Sequence, residues 1–265
     1  MNFSILKSFG PGRKNSRKME RQNEQGDRTP AGGAKGGKKS TLNTRMNHNE
    51  SKKESPELGK DISFEASLQE KDHAHAVHCM VWAKWEDHFV IEEFVPHAAI
   101  LMQVRFDGCI GFPGGMVDED ITGIPIHQAK EKVISAVTRE LAEEMNVDFT
   151  RHVITKEDYM FTHRHPSKKL FLHFFTFEMS LDSLREIENM ALKSMDFGNE
   201  VMGILRVPLY TMNDGYRGFP AFLNQNFIQC SRQQLLLSLD AKKILTKNEI
   251  DEAVSSSRLN RTNYV

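Results

Sequence analysis

The sequence has little cysteine and no long apolar run. Only Cys79, Cys109 and Cys230 occur in 265 residues, and three scattered cysteines do not make the disulfide framework of a small secreted protein. Because each lies in apolar sequence, we interpret them as buried thiols in a reducing compartment. No apolar run approaches the roughly 20 residues that cross a bilayer. No membrane partner is therefore expected.

The chain also has no overall excess of charge, since its formal net charge is −1. That balance hides an uneven distribution: residues 1–55 carry thirteen Lys/Arg against five Asp/Glu, and the remaining residues carry twenty-two against thirty-one. A segment so poor in apolar residues cannot bury enough surface to fold alone. We therefore predict a disordered basic tail over 1–65, a folded domain over 66–245 and a polar C-terminal segment over 246–265.

The basic tail admits three interpretations. It can track the phosphate backbone of a nucleic acid, serve as a nuclear address, or act as a solubilising linker without a partner. A transit peptide fits less well, because Glu20 and Glu24 interrupt the basic run. The tail therefore favours a nucleic-acid partner without deciding it.

The most informative stretch is 139–144, Arg-Glu-Leu-Ala-Glu-Glu. On a helix turning about 100° per residue, Glu140 and Glu144 fall in the middle of the apolar face formed by Val133, Ala136, Val137 and Leu141. Carboxylates at i and i+4 repel each other, and burying them costs free energy unless something compensates. A divalent cation compensates, and carboxylate oxygens suit Mg²⁺ or Mn²⁺. The alternative, a solvated charged face, requires a different phase of the apolar stripe.

The apolar periodicity predicts alternating strands and helices. Strands are predicted over 76–83, 98–106, 158–163, 170–179 and 201–207, and helices over 128–145, 180–194 and 230–239. The strands at 158–163 and 170–179 are predicted to pair as a hairpin. This order favours an α/β fold, with a mixed sheet covered by helices on both faces.

The kernel at 139–144, preceded by Gly114-Gly115, resembles the Nudix hydrolase signature. The chain departs from that pattern in two ways: the segment between Gly115 and the helix is longer, and Asn146 replaces a glycine. Asparagine is the next best residue for a left-handed helix end. Glu131 keeps the expected spacing before Arg139 but projects opposite Glu140, so both its role and its place in loop or helix stay open.

Further stretches, 100–108, 111–115, 206–211 and 226–228, resemble one Nudix branch, the U8 small nucleolar RNA decapping group (Nudix hydrolase 16), over roughly 75–241. The resemblance implies a Nudix fold, an α/β/α sandwich with a catalytic loop and helix. It also implies hydrolysis of capped small nucleolar RNA and mRNA and of the purine nucleoside diphosphates inosine and deoxyinosine diphosphate, with Mg²⁺ or Mn²⁺. The implied location is the nucleus, in nucleolus and nucleoplasm, with the cytoplasm left open.

The same resemblance assigns roles to particular residues. It assigns metal binding to the carbonyl of Gly114, to Glu140 and Glu144 and to His163, with Glu143 in the same cluster. Glu143 is the candidate that orients or deprotonates water, and Arg139 is an ion-pair partner that fixes a glutamate. The positions that match nucleotide contacts are His78, Arg105, Phe112 and Gln234. Taken alone, these side chains also fit ordinary core or surface roles.

Three functions remain open from the sequence: an RNA decapping enzyme, an inosine diphosphatase of the nucleotide pool, and a non-catalytic Nudix-fold module that binds RNA or protein. Retention of Glu140, Glu143 and Glu144 argues against the third, because relatives of that kind have lost their acids. The basic tail favours the first over the second, since a free nucleotide needs no extended cationic arm. The oligomeric state is open, a homodimer being one assembly considered.

Overall fold

The computed structural model of the protein describes residues 61–87 and 94–259. Its strands are β1 (Asp61–Ile62), β2 (Ala74–Lys84), β3 (Ala98–Arg105), β4 (Ile110–Gly111), β5 (Tyr159–Arg164), β6 (Leu170–Glu178) and β7 (Val201–Arg206). Its α-helices are α1 (Phe64–Ser67), α2 (Ile126–Met145), α3 (Leu181–Met190), α4 (Phe219–Phe222), α5 (Ser231–Ala241) and α6 (Lys247–Leu259), with 3-10 turns at Lys156–Asp158 and Ala191–Lys193. The expectations for the tail before Asp61 lie outside the described residues.

One mixed sheet organises this part of the chain. Its strand order is β1-β5-β6-β2-β3-β4, and β7 also pairs with β3. The pair β2 and β6 is parallel, whereas β5 and β6 are antiparallel and place His163 opposite Leu172. The predicted mixed sheet and the predicted hairpin are both confirmed. Because β2 is covered on both faces, it reads in the sequence as a nearly continuous apolar run.

Two apolar cores lie on opposite faces of the sheet. Alternate residues of β2 enter different cores: Val77, Cys79 and Val81 join one, and Met80 and Trp82 join the other. The first core also holds the apolar faces of α2 and α3, and the second holds apolar residues of α4, α5 and α6. Helices therefore cover both faces of the sheet, as predicted for an α/β/α sandwich.

Helix α2 follows the predicted phase and ends as predicted. Asn146 adopts the left-handed conformation, with φ 56° and ψ 37°, and its backbone N–H donates to the carbonyl of Ala142. Glu131 lies inside the helix on its exposed side, so the alternative that placed it in the preceding loop is wrong. A residue on that side of α2 cannot share a site with the buried side of the same helix.

The ordered domain is wider than the predicted 66–245. At its start, β1 pairs with β5, and Ser63 caps α1, which buries Phe64. At its end, α6 occupies the segment predicted to be merely polar and buries Ile250 and Ala253. Both elements contribute few large apolar residues, which is why composition alone placed them outside the domain.

The prediction that the cysteines are buried thiols is confirmed for two of the three. All three cysteines are free, and Cys79 and Cys230 are buried as predicted. Cys109 is only partly buried, in the turn between β3 and β4, so the prediction of a buried thiol is wrong there. Within the described residues, no helix has both the length and the apolar character that crossing a membrane requires.

A chain of buried hydrogen bonds links β2, β5 and β6. His75 Nδ1 lies 2.9 Å from His173 Nε2, and His173 Nδ1 lies 2.7 Å from the hydroxyl of Thr162. The Thr162 hydroxyl is also 2.8 Å from the Tyr159 hydroxyl. Burial lowers the pKa of His75 to about 4 and the pKa of His173 to about 3. Asp120 opposes part of the His75 shift, and His73 adds to it.

Because of these two buried neutral histidines, we predict that the protein loses stability in mild acid. Both imidazoles bind protons more weakly in the folded than in the unfolded chain, where the pKa is about 6.5. The contribution of the two neutral imidazoles to stability is therefore fully present above that pH, and it is lost as the pH decreases towards 4. The free energy of unfolding should fall by about 2 kcal/mol per histidine between pH 7.5 and pH 5. Urea unfolding of the parent and of His173→Gln at pH 7.5 and at pH 5 measures this change in the free energy of unfolding.

The variant should lose about 2 kcal/mol less than the parent on acidification, because one buried titrating group is gone. The matched control is His127→Gln, which changes an exposed histidine at the start of α2. An acid-induced loss as large in His173→Gln as in the parent would contradict the assignment.

Candidate active site

The two acids predicted on the apolar face of α2 are buried there. The relative exposure is 8% for Glu140 and 1% for Glu144. Each Glu144 oxygen accepts one hydrogen bond, from the Gly114 N–H at 2.6 Å and from Gln103 Nε2 at 3.1 Å. Burial raises the pKa of Glu144 to about 7, and burial also raises that of Glu140. Burial therefore disfavours the ionised form of both carboxyl groups, and Arg139 offsets part of this effect at Glu140.

The loop formed by Pro113, Gly114 and Gly115 lies against Glu140 and Glu144. The Pro113 and Gly115 carbonyls accept from the N–H groups of Cys79 and Val77, which ties the loop to β2. Gly114 has φ +140°, and a Cβ there would lie 2.1 Å from the Val77 carbonyl oxygen. A Cβ on Gly115 would lie 2.5 Å from Glu140 Oε1. The two glycines thus let backbone approach β2 and the Glu140 carboxylate.

Arg139 anchors the acids from the outer side. Its guanidinium lies 2.8 Å from Glu140 Oε1 and 2.9 Å from Glu143 Oε2, and it donates to the Met116 carbonyl at 3.1 Å. It also pairs with Asp118 in the long segment before α2. These contacts agree with the proposed role as an ion-pair partner. Glu143 is less buried than Glu140 and Glu144, with 29% of its side chain exposed.

Two residues of this site were missed from the sequence. Gln103 donates to Glu144, and the charge of Glu200 contributes to the raised pKa values of Glu140 and Glu144. Glu200 directly precedes β7, and its carbonyl accepts from the Phe106 N–H. Gln103 lies in the 100–108 stretch that carries the resemblance, but no role was assigned to it, and no motif marks Glu200. The packing of α2 against the sheet brings Glu144 to Gln103, and the pairing of β7 with β3 brings Glu200 towards the acids.

The donor set fits a hard divalent cation. Two buried carboxylates with raised pKa values, a third acid beside them and a backbone loop against them are the oxygen ligands that Mg²⁺ and Mn²⁺ take. Within the described residues, no three acidic, histidine or cysteine side chains converge on one ion position. Backbone carbonyl, water or substrate oxygens would have to complete the coordination.

His163 lies apart from these acids in the described contacts. Its Nδ1 is 2.8 Å from the Asp61 carboxylate, and its Nε2 is buried without a hydrogen-bond partner among the described residues. It occupies β5, which β6 separates from β2 in the sheet. Its assignment as a metal ligand stays a prediction, and the contacts shown tie it to β1 instead.

All four predicted nucleotide-binding residues line one cavity of about 90 Å³. They come from distant parts of the sequence, namely His78, Arg105, Phe112 and Gln234. The remaining lining residues, which the sequence did not single out, are Leu172, Ile228, Gln229, Cys230 and Ser231. Distant segments of the chain therefore converge on this cavity.

Two buried polar atoms in this cavity lack a hydrogen-bond partner in the part of the chain that the structure describes. His78 Nδ1 and Gln234 Nε2 are buried and have no hydrogen-bond partner among the described residues. Burial, reinforced by the charge of Arg105, lowers the pKa of His78 to about 4, so the imidazole is neutral at pH 7. Arg105 itself pairs with Asp107 at 3.3 Å. Buried polar atoms without partners indicate a ligand that supplies them.

The cavity and the acids meet at Gly114. A Cβ on Gly114 would lie 2.7 Å from the Cα of His78, while the Gly114 N–H donates to Glu144. Phe112, in the cavity wall, is only two residues before Gly114. The cavity and the buried acids are therefore adjacent through the backbone of Gly114.

The comparisons with known proteins identify the family of this chain. Residues 75–245 fit the family model Nudt16-like, described as U8 snoRNA-decapping enzyme-like. The chain belongs to the Nudt16-like family. Nudt16-like membership confirms the Nudix fold and makes the chain a Nudix-type phosphoanhydride hydrolase, of a class that generally uses divalent cations.

Individual relatives cover much of this Nudt16-like chain. The U8 snoRNA-decapping enzyme of Homalodisca vitripennis is 49% identical over 150 residues, or 57% of this chain and 74% of that protein. The Xenopus laevis enzyme of the same name is 36% identical over 208 residues, or 77% and 92%. The Tudor-interacting repair regulator protein of Mus musculus is 30% identical over 204 residues, or 76% and 90%.

Proposed function

We propose that this protein hydrolyses one diphosphate (phosphoanhydride) linkage in the cap bridge of capped RNA, both small nucleolar RNA and mRNA. It acts in the nucleolus and nucleoplasm, with a share in the cytoplasm. The observation that carries the proposal is the junction at Gly114, where the cavity lined by His78, Arg105, Phe112 and Gln234 adjoins two buried carboxylates. The names of the U8 snoRNA-decapping relatives support the substrate class.

Glu140, Glu144 and the carbonyl of Gly114 would hold Mg²⁺ or Mn²⁺, with Glu143 and His163 as further candidate ligands. When bound, the cation stabilises the negative charge that develops on the diphosphate oxygens and lowers the pKa of the attacking water. Burial has already removed these carboxylates from water, so a bound cation would offset the free-energy cost of their buried negative charge.

Glu143 is the candidate to orient or deprotonate the attacking water. It is the most exposed acid of the kernel, and its Oε2 accepts from Arg139 Nη1 at 2.9 Å. Arg139 contacts Glu140 with its other terminal nitrogen and so restricts both glutamate side chains. A positioned carboxylate within reach of water is what general-base catalysis needs.

The cavity residues would hold one nucleoside of the cap. His78 and Gln234 offer unpaired polar atoms to a base edge, and Arg105 offers several donors to a base or a phosphate. Phe112 packs edge-on against Phe174, with ring centres 5.1 Å apart, so only the part facing the cavity is free for a base. These contacts would position the diphosphate rather than break it.

Two other functions remain as competing proposals. The same cavity residues would also contact the base of a free purine nucleoside diphosphate, inosine or deoxyinosine diphosphate. The relationship to the Tudor-interacting repair regulator protein supports binding of RNA or protein without hydrolysis. One assay compares both alternatives with decapping, because only hydrolysis requires the buried acids.

The test is a side-by-side turnover assay on capped RNA and inosine diphosphate, first with Mg²⁺ and then with Mn²⁺. We expect the nucleoside diphosphate of the cap and 5′-monophosphate RNA as products, with higher kcat/KM on RNA. Higher kcat/KM on inosine diphosphate would move the function to the nucleotide pool. RNA that is bound but not cut, with either metal, would support the binding module.

Removing residues 1–60 should weaken RNA binding and leave inosine diphosphate hydrolysis nearly intact. This deletion keeps β1 and therefore all described elements. The removed residues are basic, and phosphate contacts by Lys and Arg release counterions, so the salt dependence of RNA binding should flatten. RNA affinity measured at several salt concentrations checks the prediction. Unchanged affinity and slope would leave the tail as an address or a linker.

A further inference from the structure

Gln103 is a buried amide beside the acids that neither the signature nor the proposed catalytic roles use. It lies in β3, paired with Gly111 of β4 on one side and with Ile204 of β7 on the other. Its relative exposure is 1%. A residue flanked by strands on both sides has a fixed backbone, so its side chain is held from a rigid base.

The contact between Gln103 and Glu144 fixes one end of the amide. Gln103 Nε2 donates to Glu144 Oε1 at 3.1 Å, and the Gly114 N–H donates to Glu144 Oε2 at 2.6 Å. Only the amino end of the amide can face an ionised carboxylate oxygen. The two donors together set the plane of the Glu144 carboxylate.

The other end of the amide has no protein partner. Gln103 Oε1 is buried and lacks a hydrogen-bond donor within the described residues. Buried acceptors are nearly always satisfied, and an unsatisfied one beside a candidate ion site indicates a missing donor. A water molecule from the hydration shell of a hard cation is such a donor, since Mg²⁺ and Mn²⁺ keep several waters.

We propose that Gln103 is a positioning residue for the divalent cation. It holds Glu144 in the orientation that binds the ion, and its free carbonyl oxygen accepts from a water of the ion's shell. The proposal rests on the proposed metal-dependent function and adds a specific residue to it. Residues that orient metal ligands typically contribute about 10- to 100-fold to metal affinity.

The test measures metal binding without turnover. Mn²⁺ is titrated into the full chain, and free Mn²⁺ is read from its electron paramagnetic resonance signal. Gln103→Met keeps the length of the side chain and removes both polar atoms. We expect its Mn²⁺ Kd to rise about 10- to 100-fold. The matched control is Gln234→Met, the same change at another buried amide, in the nucleotide cavity; its Mn²⁺ Kd should equal that of the parent.

Kinetics and a second variant separate positioning from mere structure. Gln103→Met should lower kcat and leave the KM for inosine diphosphate unchanged, whereas Gln234→Met should raise that KM. If Gln103→Met does not fold, Gln103→Asn replaces it; its shorter side chain keeps the amide but draws it away from Glu144, so the Mn²⁺ Kd should again rise.

The outcomes distinguish the two proposals. Mn²⁺ affinity in a folded Gln103 variant equal to the parent's would overturn the role of Gln103 and leave the proposed function standing. A parent protein that binds no Mn²⁺ would overturn the metal site itself. An equal loss of Mn²⁺ affinity in Gln103→Met and Gln234→Met would also overturn the role, because the effect would not be specific to the Glu144 contact.

Discussion

Replacing Glu144 by glutamine is expected to abolish turnover of capped RNA and of inosine diphosphate together. The change keeps the shape of the side chain and the acceptor for the Gly114 N–H, but it removes a charged ligand from the buried pair. Charge stabilisation by a bound metal contributes several kcal/mol to the transition state, so a loss on the order of a thousand-fold in kcat is expected. Single-turnover rates on both substrates measure it.

The control for this substitution lies on the same helix. Glu131→Gln makes the same chemical change on the exposed side of α2 and should leave both rates unchanged. The apo Glu144→Gln protein should be at least as stable as the parent, because it no longer buries two acids within one turn. RNA binding should fall only modestly. Most activity retained at saturating Mg²⁺, or outright unfolding, would withdraw Glu144 as a metal ligand.

Replacing Gly115 by alanine should lower kcat about a hundredfold on both substrates, because misplacing a reacting group by about 1 Å costs that much. The added Cβ would lie 2.5 Å from Glu140 Oε1 and 2.8 Å from Glu140 Cδ. The Glu140 carboxylate must then move away from residue 115. This carboxylate is the flexible end of a side chain, so the fold should survive while the acid pair is disturbed. Steady-state kinetics and thermal unfolding measure the two effects.

Gly203→Ala is the matched control, since a Cβ there meets nothing within 4 Å. It adds the same methyl group to β7 and should leave the kinetics at the parent level. If Gly115→Ala retained parental kcat, the close approach of Gly115 to Glu140 would have no part in catalysis. A loss of equal size in both variants would point to a general effect on the sheet instead.

Much of the fold and of the acid pair could be predicted because local rules decide them. The 3.6-residue period of α2 determines that Glu140 and Glu144 share a face with Val137 and Leu141, wherever that helix packs. Asn146 ends the helix through its own backbone preference. The Nudix resemblance supplied His78 and Gln234, whose positions in sequence alone fit core residues, and the structure places both in one cavity.

The missed features depend on contacts between distant segments. Gln103 reads in the sequence as a polar residue in a strand, and its contact with Glu144 arises only when α2 packs over β3. Glu200 approaches the acids through the pairing of β7 with β3. Helix α6 buries small residues such as Ala253 and Ser257, which carry little hydrophobic signal. Such long-range placements are set by tertiary packing rather than by periodicity.

The central claim is that the buried carboxylates of α2 hold a divalent cation that hydrolysis requires. The most direct measurement follows Mn²⁺ binding and hydrolysis of capped RNA by the parent and by Glu144→Gln over the same range of Mn²⁺ concentration. The account predicts that binding and hydrolysis saturate together in the parent, that chelation stops the reaction, and that both are lost in the variant. Full hydrolysis in the presence of chelator, or unchanged Mn²⁺ binding by Glu144→Gln, would contradict it.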